Sequence, residues 1–402
     1  MSDTLVVVNA GSSSLKFNVY QIADTSKFDI DSLAFLYGGQ VSGIGTDIAN
    51  FKVKGGAGQI LEDRPCPEAT NLHMAQSVLS NWFNGRMEKP PIAVGHRIVH
   101  GGSEMDGSAV IDQELFDYLE SLASLAPLHQ HNNLDPVRVS MKNWPEMLQV
   151  ACVDTAFHSH QDTLQTHYAL PKKYYEEGVR RYGFHGLSYQ YISEYLRDHI
   201  PSLYAGRVIV AHLGSGASAC MIQNGKSVTS TMGFTALEGL PMSTRPGNLD
   251  AGVVLWWLQQ RNKNADEIQD LLYNQSGMKG LSGISGDMRT LLASDDPNAK
   301  LAVDYFCLHT AENLASLCVA TQGVDGIVFT AGVGEHSSEI RARICEHLAW
   351  LGVKIDPRLN TENAQKISAA DSKVSVWVIP TNEELVIARE TLRHYCAQAT
   401  CS

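Results

Sequence analysis

Two arginines, a histidine and an aspartate stand in apolar or glycine-rich surroundings along this chain, where charged groups have few natural partners. The segment "PIAVGHRIVHGG" sets Arg97 between His96 and His100. Histidines four apart suit a shared zinc ion on a helix, but this segment reads as a strand, which separates them by about 13 Å. Arg97 is then the informative residue, a charge between apolar neighbours that needs an anion, either a substrate or an internal carboxylate. "VACVDTAFH" ends an apolar run at Asp154, "RRYGFHG" holds His185 between Phe184 and Gly186, and "LEGLPMSTRPGNLD" carries Arg245 in a Gly/Pro-rich loop. Each alone fits a structural role, as a satisfied buried group or a solvated loop charge. Together they are what phosphoryl transfer asks for, because cations must offset the charge on the group in flight.

Three glycine segments accompany them. In "VVVNAGSSSLKF" a β-branched run meets Gly and Ser, yet the Walker pattern of Gly-x4-Gly-Lys-Ser/Thr is absent. Leu15, Phe17 and Val19 alternate with Lys16, Asn18 and Tyr20, so the stretch predicts a hairpin with a Gly/Ser tip. "RVIVAHLGSGASACMIQNGKSV" repeats the arrangement around Gly214-Ser215-Gly216 and turns again at Asn224-Gly225, a strong hairpin signal. Its Gly225-Lys226-Ser227 imitates a P-loop tail, but Cys220 occupies the position of the first Gly. "GIVFTAGVGEHSSEIRARICEHL" passes through a Gly332-Val333-Gly334 loop into Ile340, Ile344, Leu348 and Leu351 at helical spacing, with Ser337 or Ser338 as cap. Three strand-then-glycine segments suggest a duplicated α/β architecture that grips a ligand between its halves.

Length and composition narrow the class. At 402 residues the chain exceeds one ordinary core and suggests two or three domains. A formal net charge of −12 argues against nucleic acid as a general partner and requires that any anionic ligand be met by local donors. Cys66, Cys152, Cys220, Cys307, Cys318, Cys345, Cys396 and Cys401 form no C-x-x-C pair and mostly sit among apolar residues, as reduced thiols of a cytoplasmic protein do. Neither a signal peptide nor a spanning helix is expected, so no membrane partner is either.

The ordered series "NAGSSSLKF", "GHRIVHGG", "LAPLH", "DTAFH", "RRYGFHG", "MGFTALEGL", "SGISGDMR", "FTAGVGE" and "PTNEELVIARET" resembles the acetate kinases, which include propionate kinases of the same fold, over nearly the whole chain. The resemblance implies an α/β fold of two duplicated βββαβαβα-type domains, shared with sugar kinases, heat-shock ATPases and actin, with the ATP cleft between them. The domain boundaries expected are 1–150 plus 386–402, and 151–385.

It further implies a first phosphate loop of Asn9, Ser12, Ser14 and Lys16, and a second of His212, Gly214, Ser215 and Gly216. Adenosine would rest on Asp287, Met288, Arg289, Gly332, Val333, Gly334 and His336. Asn9 and Glu383 would place magnesium, or manganese in its stead, although Glu383 is also an ordinary first-turn acid favoured by the helix dipole. The reaction implied is reversible in-line transfer from ATP to a short-chain carboxylate, giving an acyl phosphate and ADP. Arg97, Arg245 and His185 would ease the approach of two anions, Asp154 would hold an arginine, and His129 would orient the transferring group. Val99, Leu128, Phe184 and Ala236 would line the acyl pocket, and a homodimer is implied.

This chain departs from the family's usual residues at Leu187, Tyr189, Ser215, Ala236, Asn248 and His336. A rival class is an ATP-binding regulatory module of the same superfamily with a decayed carboxylate site.

Overall fold

The computed structural model describes residues 3–11, 14–22, 33–86, 89–126 and 129–401. Ser12 and Leu128, expected in the first phosphate loop and the acyl pocket, lie outside the described residues. Two compact units emerge, one of residues 1–156 with 382–402 and the other of 157–381.

The first unit is built on β1 (Thr4–Ala10), β2 (Ser14–Ile22), β3 (Leu33–Ser42), β4 (Asn50–Gly55), β5 (Ile60–Pro65), β6 (Ala93–Ile98), β7 (Ala109–Val110) and β8 (Leu148–Val153). Their order across the sheet is β5-β4-β3-β2-β1-β6-β8-β7. The first glycine segment forms the expected hairpin, with Ala10 opposite Leu15 and the Gly11 N–H donating to the Ser14 carbonyl at 2.7 Å. Its alternation places Leu15, Phe17 and Val19 in a core with Val6, Val41, Phe51 and Val94.

The second unit uses β9 (Arg207–Leu213), β10 (Ala217–Gln223), β11 (Lys226–Ser230), β12 (Gly326–Thr330) and β13 (Ser375–Val378), ordered β11-β10-β9-β12-β13. β9 and β10 form a second hairpin about Gly214 to Gly216, and β10 turns into β11 through Asn224 and Gly225, both at positive φ as an Asn-Gly turn requires. Within the larger sheet the run β3-β2-β1-β6-β8 has the same pattern, antiparallel through its first three strands and parallel through the rest. The duplication inferred from three glycine segments is thus present in strand order and direction.

The chain passes between the units at 156/157 and 381/382, rather than at 150/151 and 385/386. β8 pairs in parallel with β6, so Asp154 at its end stays with Arg97. The helix Glu383–Cys401 packs on β6 and β1, so Glu383 belongs to the first unit as well. Gly95 of β6 permits that seating, because a Cβ there would lie 2.2 Å from Thr391 Oγ1 and 2.6 Å from Ile387 Cγ2. The third glycine segment also differs from expectation. Ala331–His336 is itself a short helix, and Ser338–His347 follows with the Ser337 side chain accepting from the Ile340 N–H.

Six cysteines, Cys66, Cys152, Cys220, Cys307, Cys318 and Cys345, are buried thiols outside any disulfide. No helix among the described residues is long and apolar enough to cross a membrane.

Three buried histidines make the fold sensitive to acid. His96 bonds Gln149 at 3.0 Å, His158 bonds Ser227 and the Phe184 carbonyl, and His100 Nδ1 accepts from the Gly102 N–H. Burial pushes each down to about 4, well under the 6.5 of a solvated imidazole. Their contribution is present above pH 6.5 and is lost as pH falls through the folded-state values, since the unfolded chain takes up protons first. The melting temperature should therefore fall between about pH 7 and pH 5, and His158→Gln should flatten that slope in scanning calorimetry. Equal slopes in wild type and variant would remove His158 from the acid response.

Candidate active site

In the first unit, β1, β6 and β8 are adjacent and parallel, so their carboxyl ends lie side by side and present Asn9, Arg97 and Asp154 in a row. Ligands of open α/β sheets bind at such ends. Arg97 donates from Nη2 and Nε to Asp154 at 2.6 and 3.1 Å, a two-pronged pair, and from Nη1 to Asn9 Oδ1 at 3.3 Å. Asp154 is only 1% exposed. Burial works against the Arg97 charge, yet Asp154 and Glu383 hold its pKa above the ordinary arginine value.

Glu383 lies 3.8 Å from Arg97 Nε, beyond hydrogen-bond reach. Burial pushes its carboxyl up to about 7; Arg97 pulls the other way, while Asp154 and Glu384 add to the rise. The two shifts point in opposite senses about the strength of the Arg97 to Glu383 attraction. The geometry resolves them, because the guanidinium fork is spent on Asp154 and Glu383 receives only its distant field. Lys16, exposed on β2, is the register partner of Asn9. Ser14 opens the same strand.

Two residues absent from the sequence reading hold this row in place. Asn133 donates to the Ala10 carbonyl and accepts from the Val99 N–H, tying the end of β1 to the end of β6. Gln130 does the same for both backbone groups of His100. Both stand on the helix Gln130–Asn143, whose N-cap position is His129. Only their burial singles them out, and polar residues in a helical run carry no such signal.

In the second unit, His185 precedes the helix Gly186–His199 in a left-handed conformation, φ +58°. A non-glycine residue held there costs about 1–3 kcal/mol and tends to occur at functional sites. Its ring stacks on His212 with centroids 4.2 Å apart, and its Nδ1 meets Ser218 Oγ at 2.8 Å. Arg245 donates to the Ala236 carbonyl at 2.8 Å and, among the described residues, forms no ion pair with any carboxylate. Burial lowers its pKa. A cation so placed favours an anionic ligand. The β9–β10 tip, closed by Gly214 N–H to the Gly216 carbonyl, lies against both groups. A Cβ on Gly216 would stand 2.8 Å from Arg245 Nη2 and 3.3 Å from His185 Nε2.

Beside this tip opens a cleft of about 940 Å³. Gly214, Ser215, Asp287, Met288, Arg289, Gly332, Val333 and His336 all line it, so eight expected nucleotide contacts share one wall. Its size suits a nucleotide. Asp287 caps the helix Met288–Leu292 and is held down to about 2 by its bond to Arg289. Gly334 is not on the wall; its carbonyl accepts from the buried Arg341. Of the acyl-pocket residues, Phe184 and Val99 are buried and Ala236 is half-buried, with Val99 in the first unit and the other two in the second.

Residues 4–389 match the model of the acetokinase family. The chain belongs to that family. An acetate kinase of Nitrobacter hamburgensis is 50% identical over 97% of this chain and 96% of its own length. One from Rhizobium meliloti is 48% identical over 97% and 98%. Among solved structures, a propionate kinase from Francisella tularensis superposes with a TM-score of 0.88 at 33% identity, covering 97% of this chain and 99% of its own. Porphyromonas gingivalis acetate kinase gives 0.83 at 32%, over 98% and 99%. The acetokinase fold, two mixed sheets of one design, accounts for the duplicated strand order described above.

Because a Cβ at 216 would push on the Arg245 guanidinium and crowd His185, Gly216→Ala should lower kcat, by up to about a hundredfold, while the circular dichroism spectrum is kept. Wild-type turnover in that variant would show that the β9–β10 tip has no bearing on the chemistry.

Proposed function

We propose that this acetokinase-family protein phosphorylates acetate with ATP, reversibly, to give acetyl phosphate and ADP. The observation that carries the proposal is Arg245, a partly buried cation with no carboxylate among its described partners, set beside His185 at a glycine tip that opens on a nucleotide-sized cleft. A carboxylate oxygen attacks the γ-phosphorus, the bond to the bridging oxygen breaks, and its electron pair leaves on ADP. Acetate is already ionised at neutral pH, so no general base is needed and the barrier lies in bringing two anions together. Arg245 and His185 would offset charge on the transferring group. Arg97, oriented by Asp154, would meet the carboxylate, and His129 would help orient the phosphoryl group.

Asn9 and Glu383 would hold magnesium, or manganese, which supplies charge compensation on the phosphates. The donors fit such an ion. Magnesium is bound through one or two protein oxygen ligands plus substrate phosphates rather than in a closed protein cage. A cation also relieves the unfavourable burial of the Glu383 carboxylate. Ser14 and Lys16 would face the phosphate chain from the first hairpin.

We place the protein in the cytoplasm on its buried thiols. A homodimer is supported by the helix Ala251–Gln260, which buries no residue and leaves Leu255 54%, Trp256 44% and Leu258 42% exposed. A regulatory module without chemistry is the less favoured reading, since it needs neither Arg245 nor the Arg97 to Asp154 pair.

Purified protein with ATP, magnesium and acetate should give an acyl phosphate trapped by hydroxylamine. Arg97→Ala and Arg245→Ala should each lower that rate by about two orders of magnitude or more with the fold intact. No trapped product from the wild type would refute the proposal, and a fully active variant would remove its arginine from the mechanism.

Acyl chain length offers a finer test. Ala236 replaces the larger ring that the family usually carries there, and one further methylene buried in that space gains about 0.8 kcal/mol, roughly fourfold in affinity. Acetate and propionate should both be used and butyrate poorly. Ala236→Pro should lower the propionate-to-acetate ratio of kcat/KM, and an unchanged ratio would show that residue 236 does not set the limit.

A further inference from the structure

His212 and Ser218 are direct register partners in the β9–β10 hairpin, and the helix Gly186–His199 brings Ser188 and Tyr189 against them. Two hydroxyl relays result. In one, the Tyr189 and Ser218 hydroxyls are hydrogen-bonded and Ser218 Oγ lies 2.8 Å from His185 Nδ1. In the other, Ser188 donates to Thr381 Oγ1 at 2.9 Å and its oxygen lies 2.9 Å from His212 Nδ1. Tyr189 and Ser218 are completely buried, which keeps the two hydroxyls of the first relay away from bulk water.

Proton bookkeeping gives these relays a direction. A serine hydroxyl has one proton to give and two lone pairs to receive. The phenol of Tyr189 is far more acidic than the Ser218 alcohol and is the better donor. With the Tyr189 proton directed at Ser218 Oγ, the Ser218 proton must go to His185 Nδ1. The neutral imidazole then carries its own proton on Nε2. Ser188, having spent its proton on Thr381, accepts one from His212 Nδ1. The two stacked rings therefore hold opposite tautomers. Since both Nδ1 atoms face hydroxyls and both Nε2 atoms face the glycine tip, their dipoles run antiparallel, which is attractive at 4.2 Å.

We propose that Tyr189 is a positioning residue for phosphoryl transfer: through Ser218 it fixes His185 as the Nε2–H tautomer, so that the ring presents a hydrogen-bond donor at Gly216. This rests on the reading that His185 acts on the transferring group. A donor stabilises an anionic phosphoryl oxygen, whereas the other tautomer would turn a lone pair toward it. The relay leaves ATP and acetate untouched, so its loss acts on turnover rather than on binding.

The test combines kinetics with a direct view of the ring. Tyr189→Phe removes only the hydroxyl and should lower kcat about ten- to a hundredfold, with KM for ATP and for acetate within about twofold of wild type. Ser218→Ala should do the same, and the double variant should be no worse than Ser218→Ala alone, because both break one chain. In protein labelled with ¹⁵N-histidine, the His185 resonances, assigned by comparison with His185→Gln, should report protonated Nε2 in the wild type. In Tyr189→Phe they should move toward a mixture of tautomers. Wild-type kcat in Tyr189→Phe, a parallel loss of KM and melting temperature, or an Nδ1–H His185 in the wild type would each overturn the proposal. The wild-type spectrum decides even if a variant fails to fold. Unchanged acyl phosphate formation in His185→Ala would instead overturn the underlying reading of His185, whatever its tautomer.

Discussion

A kinase that joins two anions must keep positive charge in a poorly hydrated place without neutralising it, and the two arginines of this protein meet that constraint differently. Arg97 is clasped by Asp154 in a two-pronged pair, which fixes its plane and turns Nη1 to Asn9, with Glu383 3.8 Å from Nε. Removing Asp154 from such a pair would strand a buried cation, so the carboxylate is structural for the arginine that it partly offsets. Among the described residues, the side chain of Arg245 is anchored by the Ala236 carbonyl, a dipole that orients the guanidinium and takes none of its charge. The depressed pKa of Arg245 and the elevated one of Glu383 have the same cause, burial of a charge that a ligand of opposite sign would relieve.

The duplicated sheet explains why the groups fall where they do. In the run β3-β2-β1-β6-β8 the parallel strands end at Asn9, Arg97 and Asp154. In the run β11-β10-β9-β12-β13 the corresponding ends are His212 and Thr330, which are register partners. A parallel ladder aligns carboxyl ends by construction, so residues 57 apart in sequence, such as Arg97 and Asp154, become neighbours without any local signal between them. Gly95 performs the converse task. By lacking a side chain it lets the C-terminal helix settle on β6, and the first turn of that helix carries Glu383 beside Arg97.

What could be read from the sequence follows from the same distinction. Alternation in 14–22 and the Asn224-Gly225 turn are local signals, and both hairpins formed as expected. Arg97, Arg245, His185 and Asp154 stood out because charge among apolar neighbours is costly. Asn133, Gln130, Ser188, Ser218 and Thr381 did not, since a hydroxyl or amide in a polar stretch looks the same whether it faces solvent or buttresses a strand end or a histidine ring. The assignment of Asp154 and Glu383 to the second domain failed for a related reason. Both lie at the ends of elements whose partners are remote in sequence, and a boundary drawn along the chain cannot see a parallel pairing.

The helix Ala331–His336 shows how a single carboxylate can substitute for backbone freedom. Ala331 adopts φ +64°, a conformation that glycine takes without strain and alanine does not. Glu335, four residues on, accepts from the Ala331 N–H at 2.8 Å, from the Thr381 N–H at 3.2 Å and from the Thr330 hydroxyl. Three donors converging on one carboxylate over-determine the turn, so the strain is held rather than relaxed. The same carboxylate ties the cleft wall of Gly332, Val333 and His336 to Thr381, whose hydroxyl receives the Ser188 proton beneath His212. The cleft wall and the β9–β10 hairpin are therefore parts of one hydrogen-bonded framework. That framework is made by side chains matched donor to acceptor, Ser188, Thr330, Glu335 and Thr381 among them.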